Sequence, residues 1–82
     1  MKADKLVYMA NQIAAFFRAQ PAAEAQTAVA EHVRSFWSPA MRRDIYAHLR
    51  DGGEGLDPVA RAGLEMLMER EAGARRTSGA SG

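Results

Sequence analysis

Cysteine is absent from this sequence of 82 residues. Disulfide bonds, thiolate zinc sites, iron–sulfur ligation and thiol nucleophiles on this chain are therefore excluded. Long apolar runs are lacking too, and the charged segment at residues 1–5 is not followed by the apolar stretch of a signal sequence. We expect a soluble, cytoplasmic chain with no membrane partner.

An excess of one charge sign is also missing. The 11 Lys and Arg residues against 10 Asp and Glu residues give a formal net charge of +1, with the two signs interleaved along the chain. A nucleic-acid-binding protein typically carries a basic stripe with aromatic side chains. Here Arg42-Arg43 and Arg75-Arg76 lie far apart in sequence, so a helical nucleic-acid binder that uses Arg42, Arg43 and Arg50 is a minor alternative.

The short chain limits the size of its core. It is long enough for one domain, and many residues of its 48% hydrophobic fraction are alanines, which favour helix more than they fill volume. We therefore expect a thin core and added burial against another chain.

Two helices are predicted before residue 37. The first begins with Asp4 as its N-cap and ends near Ala19, and the second begins within residues 21–23 and ends near Phe36. At about 100° per residue, each helix has one apolar face. The face of the first holds Leu6, Met9, Ala10, Ile13, Phe16 and Phe17. The face of the second holds Ala25, Ala28, Val29, His32, Val33 and Phe36. A short link between the two predicts a helical hairpin.

Two further helices follow. Ser38 and Pro39 are typical of a helix start, and that helix should end near Arg50, before the glycines of residues 51–55. Its apolar face holds Met41, Ile45, His48 and Leu49. Asp57-Pro58 opens the fourth helix, which should end near Glu71 with Val59, Ala62, Gly63, Met66 and Leu67 in the core. The prediction is an all-α bundle of about four helices over residues 1–72, with a flexible, disordered C-terminal tail over residues 73–82.

No catalytic, cofactor-binding or metal site is predicted. His32 and His48 project onto apolar faces, but a metal site usually needs three or four converging ligands, so packed, hydrogen-bonded imidazoles are favoured. The glycines at 52–55 follow a helix and lie among acidic residues, which indicates a connector rather than a phosphate-binding loop. The serines and threonines lack an arranged base.

Some large apolar residues fit the core pattern poorly. Tyr8, Leu64 and Met68 fall off the main apolar faces, and we expect them to contact a partner. Trp37, at a helix exit, could cover the core or anchor an interface.

Four segments, together covering about residues 4–67, resemble a known family. They are residues 5–17, with Met9-Ala10-Asn11-Gln12-Ile13-Ala14 and Phe16-Phe17; His32-Val33; residues 36–42, Phe-Trp-Ser-Pro-Ala-Met-Arg; and residues 52–58, Gly-Gly-Glu-Gly-Leu-Asp-Pro. In this order they resemble the delta subunit of NAD-dependent, molybdenum- or tungsten-containing formate dehydrogenases.

The resemblance implies a non-catalytic accessory subunit of a cytoplasmic complex. Its larger subunits would hold bis-molybdopterin guanine dinucleotide, iron–sulfur clusters and FMN and would use NAD, while this chain would bind no cofactor. It would bind the catalytic alpha subunit and support its assembly, cofactor insertion or stability. The expected partner-binding residues are Tyr8, Asn11, Gln12, Arg18, Trp37, Pro39, Met41, Arg42, Leu64 and Met68. The alternative is a self-associating helical module or small regulator, unrelated to formate metabolism, that forms a homo-oligomer when isolated.

Overall fold

The fold consists of four α-helices. The computed structural model describes the backbone of residues 2–81 and the side-chain burial of residues 2–74. The helices are α1 (Ala3–Phe16), α2 (Ala22–Phe36), α3 (Pro39–Arg50) and α4 (Pro58–Ser81). No strand occurs within residues 2–81. The predicted all-α bundle of about four helices is therefore confirmed.

The breaks between helices follow local chemistry. Ser38 Oγ accepts a hydrogen bond from the Met41 N–H at 3.2 Å and caps α3, as predicted. Asp57 Oδ2 accepts from the Val59 N–H at 3.0 Å at the start of α4. After α3, Gly53 takes a φ of 63° and donates its N–H to the His48 carbonyl at 2.8 Å, a C-terminal stop that favours glycine. At α1, in contrast, Lys2 rather than Asp4 occupies the N-cap position.

Helix α4 extends beyond its predicted end near Glu71 to Ser81. Ala72 and Ala74 are strong helix formers, no proline follows them, and Gly73 and Gly79 each cost only about 1 kcal/mol relative to alanine. Most of the predicted tail over residues 73–82 lies outside the described part of the chain. This applies to the side chains of residues 75–81 and to the whole of Gly82. Its flexibility, and the domain boundary at residue 72, stay predictions.

The core lies where α2 meets α4, which is the most extensive helix pair in the molecule. The largest fully buried side chains are Leu6, Val29, Val33, Ile45, Leu64 and Leu67. Small residues allow the close approach: a Cβ built on Gly63 would lie 2.7 Å from the Gln26 carbonyl oxygen and 2.9 Å from Val29 Cβ. Helices α1 and α2 contact each other, but α2 packs more extensively against α4, where Gly63 allows the close approach.

Candidate protein-interaction surface

Two phenylalanines at helix ends are open to solvent. Phe16 is 80% exposed and Phe36 is 75% exposed, so the prediction that both belong to the core is wrong. Each is the last residue of its helix, and the next residue, Phe17 or Trp37, packs against the core instead. An apolar stripe predicts burial only where another element covers it, and in the last turn of α2 Val33 is fully buried while Phe36 faces solvent.

These rings belong to one surface built by α1 and α2. Phe16 and Phe17 meet edge to face with ring centroids 5.0 Å apart. The His32 and Phe36 rings lie 4.7 Å apart with an angle of 36° between their planes. A groove of about 310 Å³ lies between the helices and is lined by Gln12, Ile13, Phe16, Phe17 and His32. We call this groove together with Phe36 the aromatic face.

The aromatic face is poor in charge. No Asp, Glu, Lys or Arg residue lines the groove. The sequence of α1 has no such residue from Val7 to its end, and the 64% exposed Tyr8 lies one helical turn before Gln12. A contiguous exposed apolar surface in a small protein is typical of an interaction site.

Several residues predicted to contact a partner are instead packed inside. Leu64 is 0% exposed, so its predicted position off the core is wrong. Helix α4 contacts α1, α2 and α3, and it therefore buries more than the single face that the periodicity indicated. Trp37, at 5% exposed, covers the core, which is the first of the two alternatives for its position, and its contact with a partner stays a prediction. Met41 and Met68 are half-buried against the same core.

Two predicted polar contacts are engaged within the chain. Asn11 donates from Nδ2 to the Gly55 carbonyl at 2.9 Å and accepts at Oδ1 from the Asp57 N–H at 2.8 Å. Arg42 donates from Nε to Glu71 Oε1 at 3.0 Å and from Nη1 to the Trp37 carbonyl at 2.7 Å. Both side chains hold helices together, which the sequence spacing did not reveal.

The remaining predicted contacts lie on the surface. Gln12 and Pro39 are exposed, with Gln12 on the groove. The Arg18 side chain is 73% exposed, with Nη2 at 4.0 Å from Asp57 Oδ1, a distance at which an exposed pair contributes little. Gln12 therefore belongs to the aromatic face and Tyr8 lies one helical turn before Gln12, whereas the partner role of each predicted residue stays a prediction.

Neither histidine is fully buried. His48 Nε2 lies 2.8 Å from the Glu54 carbonyl oxygen, and because a carbonyl only accepts, Nε2 carries the proton. His32 stacks against Phe36. Within the described residues, no group of three or more His, Asp or Glu side chains is arranged to hold a metal ion.

Tyr46 is a core residue that the sequence prediction missed. It is buried, and its hydroxyl donates to Glu71 Oε1, the oxygen that also accepts from Arg42. The helical spacing of Arg42, Tyr46 and Leu49, at i, i+4 and i+7, was the available signal.

Residues 5–64 match the family model described as "NADH-dependant formate dehydrogenase delta subunit FdsD". The chain belongs to this family. The resemblance drawn from the sequence is thereby confirmed. Comparison with curated proteins and with solved structures finds no match.

The delta-subunit match contains the whole aromatic face. It spans α1 from Lys5 onward, all of α2 and α3, and the first turns of α4, including Gly63 and Leu64. No helix in the described part of this delta-subunit chain has the length and apolar character needed to cross a membrane.

Proposed function

We propose that this chain is a non-catalytic accessory subunit of a cytoplasmic NAD-dependent formate dehydrogenase and that it docks on the catalytic alpha subunit. The observation that carries the proposal is the exposure of Phe16 and Phe36 in a member of a formate dehydrogenase subunit family. Burying a phenyl side chain contributes about 1.5–3 kcal/mol. In the isolated monomer the two rings stay in water, whereas a complex that covers them gains this free energy of burial.

Docking would support the catalytic subunit through mass action. A ligand that binds the folded state and not the unfolded state stabilises it in proportion to the logarithm of its concentration over Kd. The same effect would hold the catalytic subunit in a form that accepts its cofactors during assembly. By the family resemblance, bis-molybdopterin guanine dinucleotide, the iron–sulfur clusters and FMN would reside in the larger subunits, which would also bind NAD. For the iron–sulfur clusters, the lack of cysteine in this chain agrees with that placement.

Co-purification tests the proposal directly. A tagged copy of this chain is co-expressed with an untagged catalytic subunit, and the eluted material is analysed by size-exclusion chromatography with light scattering. We expect a stable heteromeric species. Failure to retain the catalytic subunit, together with elution of this chain only as a homo-oligomer, would replace the proposal with the self-associating helical module.

A second measurement addresses the supporting role. The catalytic subunit is produced with and without this chain, and its molybdenum content, formate oxidation rate and thermal midpoint are compared. We expect at least one of the three to fall when the chain is omitted. Equal values in all three would leave docking without the proposed supporting role.

A further inference from the structure

Resting on the function proposed above, we propose that the aromatic face is the docking surface and that its occupant is an uncharged segment of the catalytic subunit. This segment places one large apolar side chain in the groove between Phe16, Phe17 and His32. The surface is thereby distinguished from the wider set of residues that the sequence predicted as partner contacts.

The charge pattern selects the chemistry of the occupant. A charged side chain entering the groove would lose its hydration and find no opposite charge among the lining residues. An apolar side chain loses no such hydration and covers the edge-to-face pair of Phe16 and Phe17. Because the groove itself carries no charged side chain, an uncharged segment of the partner is favoured as its occupant.

The groove also offers polar groups beside its apolar walls. Gln12 is exposed at the groove, and its amide provides both donors and an acceptor. The His32 ring forms another wall of the groove, and its contact with the Phe36 ring connects the groove to Phe36. We therefore expect the occupant to carry a hydrogen-bonding group beside its apolar side chain, as interface anchors such as Tyr and Trp do.

Area favours a large partner over a second copy. The exposed large apolar side chains within the described residues are Tyr8, Phe16 and Phe36. Full burial of an aromatic side chain removes about 150–250 Å² from water, so even the three together fall short of the roughly 800 Å² that a stable interface buries on each side. A second copy offers only this same small surface in return, whereas a larger subunit can also extend over neighbouring exposed residues such as Ala15.

Exposure makes the inference testable without unfolding the chain. The double variant Phe16→Ser/Phe36→Ser removes both rings from solvent-exposed positions, and circular dichroism should show unchanged helicity. Binding to the catalytic subunit, measured by titration calorimetry, should weaken about tenfold or more for each substitution. The matched control Arg43→Ser/Glu65→Ser changes two exposed residues on α3 and α4 and should bind like the unmodified chain.

A second variant keeps the test decisive if the double variant loses helicity. Gln12→Glu preserves the shape of the side chain and adds one negative charge to the groove, and it should also weaken binding about tenfold. Wild-type affinity in Gln12→Glu, and in the double variant where that variant folds, would overturn the inference while leaving the proposed function intact. Loss of self-association in these variants, with the catalytic subunit still bound, would assign the face to a second copy and also overturn it. A wild-type chain that does not bind the catalytic subunit would instead contradict the proposed function.

Discussion

Asn11 on α1 holds Asp57 at the start of α4, with Asn11 Oδ1 accepting the Asp57 N–H at 2.8 Å. The same side chain donates to the Gly55 carbonyl at 2.9 Å. Asp57 in turn caps α4 by accepting from the Val59 N–H at 3.0 Å. One amide therefore fixes the α3–α4 connection against the first helix, and the start of α4 depends on it.

Removing this amide should destabilise the fold. Asn11→Ala deletes both hydrogen bonds and leaves the half-buried Asp57 N–H without this acceptor, which costs about 1–3 kcal/mol. In a domain of this size the thermal midpoint should fall by about 4–8 °C per kcal/mol. Differential scanning calorimetry provides the measurement. Gln12→Ala, at the exposed neighbouring position, is the control and should leave the midpoint nearly unchanged.

Gly63 should not tolerate a methyl group. In Gly63→Ala the new Cβ would lie 2.7 Å from the Gln26 carbonyl oxygen and 2.9 Å from Val29 Cβ, so α2 and α4 would have to separate. Overpacking of this kind costs about 1–3 kcal/mol. Replacing glycine by alanine within a helix gains at most about 1 kcal/mol in helix propensity, so the upper part of the overpacking range exceeds this gain. Urea denaturation should show a lower midpoint for Gly63→Ala and no change for Glu65→Ala. A stabilised Gly63→Ala would contradict the close packing described above.

Much of the fold followed from local sequence rules. Ser38 and Asp57 cap the helices that they were predicted to cap, and the four helices lie in the predicted order, because capping and proline geometry act over a few residues. The end of α4 was missed, since Gly73 and Gly79 are only weak helix stops and no proline follows Glu71.

The surface could not be predicted in the same way. Helical periodicity assigned Phe16 and Phe36 to the core and Leu64 to the surface, and the structure reverses all three. Periodicity indicates which side of a helix is apolar, but burial depends on which helices cover that side and how far along. Leu64 is buried because α4 contacts three other helices and is therefore covered on more than one side.

Leu64 should therefore behave as a core residue. Leu64→Ala leaves a cavity at a fully buried position and should cost about 2–5 kcal/mol. The whole domain is expected to be stable by only about 4–12 kcal/mol at its length, so the variant should be strongly destabilised in urea. Tyr8→Ser, at a 64% exposed position, should change stability by less than about 0.5 kcal/mol. Equal stability of Leu64→Ala and the unmodified chain would restore the surface assignment.

Arg42 should matter for folding through the geometry of its guanidinium group. Its Nε and Nη1 donate in two directions, to Glu71 Oε1 at 3.0 Å and to the Trp37 carbonyl at 2.7 Å. Lysine carries a single charged nitrogen and cannot reproduce this fork. We expect Arg42→Lys to lose about 1–3 kcal/mol in chemical denaturation, close to the loss in Arg42→Ala.

The control for Arg42 lies next to it in sequence. Arg43→Lys changes an exposed arginine and should have no measurable effect. A stable Arg42→Lys variant that fails to bind the catalytic subunit would instead support the partner contact predicted from the sequence. Calorimetric binding of the folded variant distinguishes the two roles.

Glu31 should titrate below its usual range. Its Oε2 accepts from Arg34 Nη2 at 2.8 Å, and this hydrogen bond and the charge of Arg34, with Arg70 adding to them, lower the pKa of the Glu31 carboxyl. A carboxylate whose pKa is lower in the folded state stabilises the fold above its unfolded pKa. That contribution is lost as the pH falls through the lower, folded value.

Carbon-detected NMR titration of the Glu31 carboxyl group measures this shift. Arg34→Ala should raise the Glu31 pKa toward its ordinary value, and Arg70→Ala should raise it less, because Arg34 is the largest cause of the shift and Arg70 Nη1 lies farther away, at 3.4 Å. High salt should act in the same direction, since the pairs are exposed and screened by ions. A Glu31 pKa that is unchanged in Arg34→Ala would show that the ion pair seen on α2 does not persist in solution.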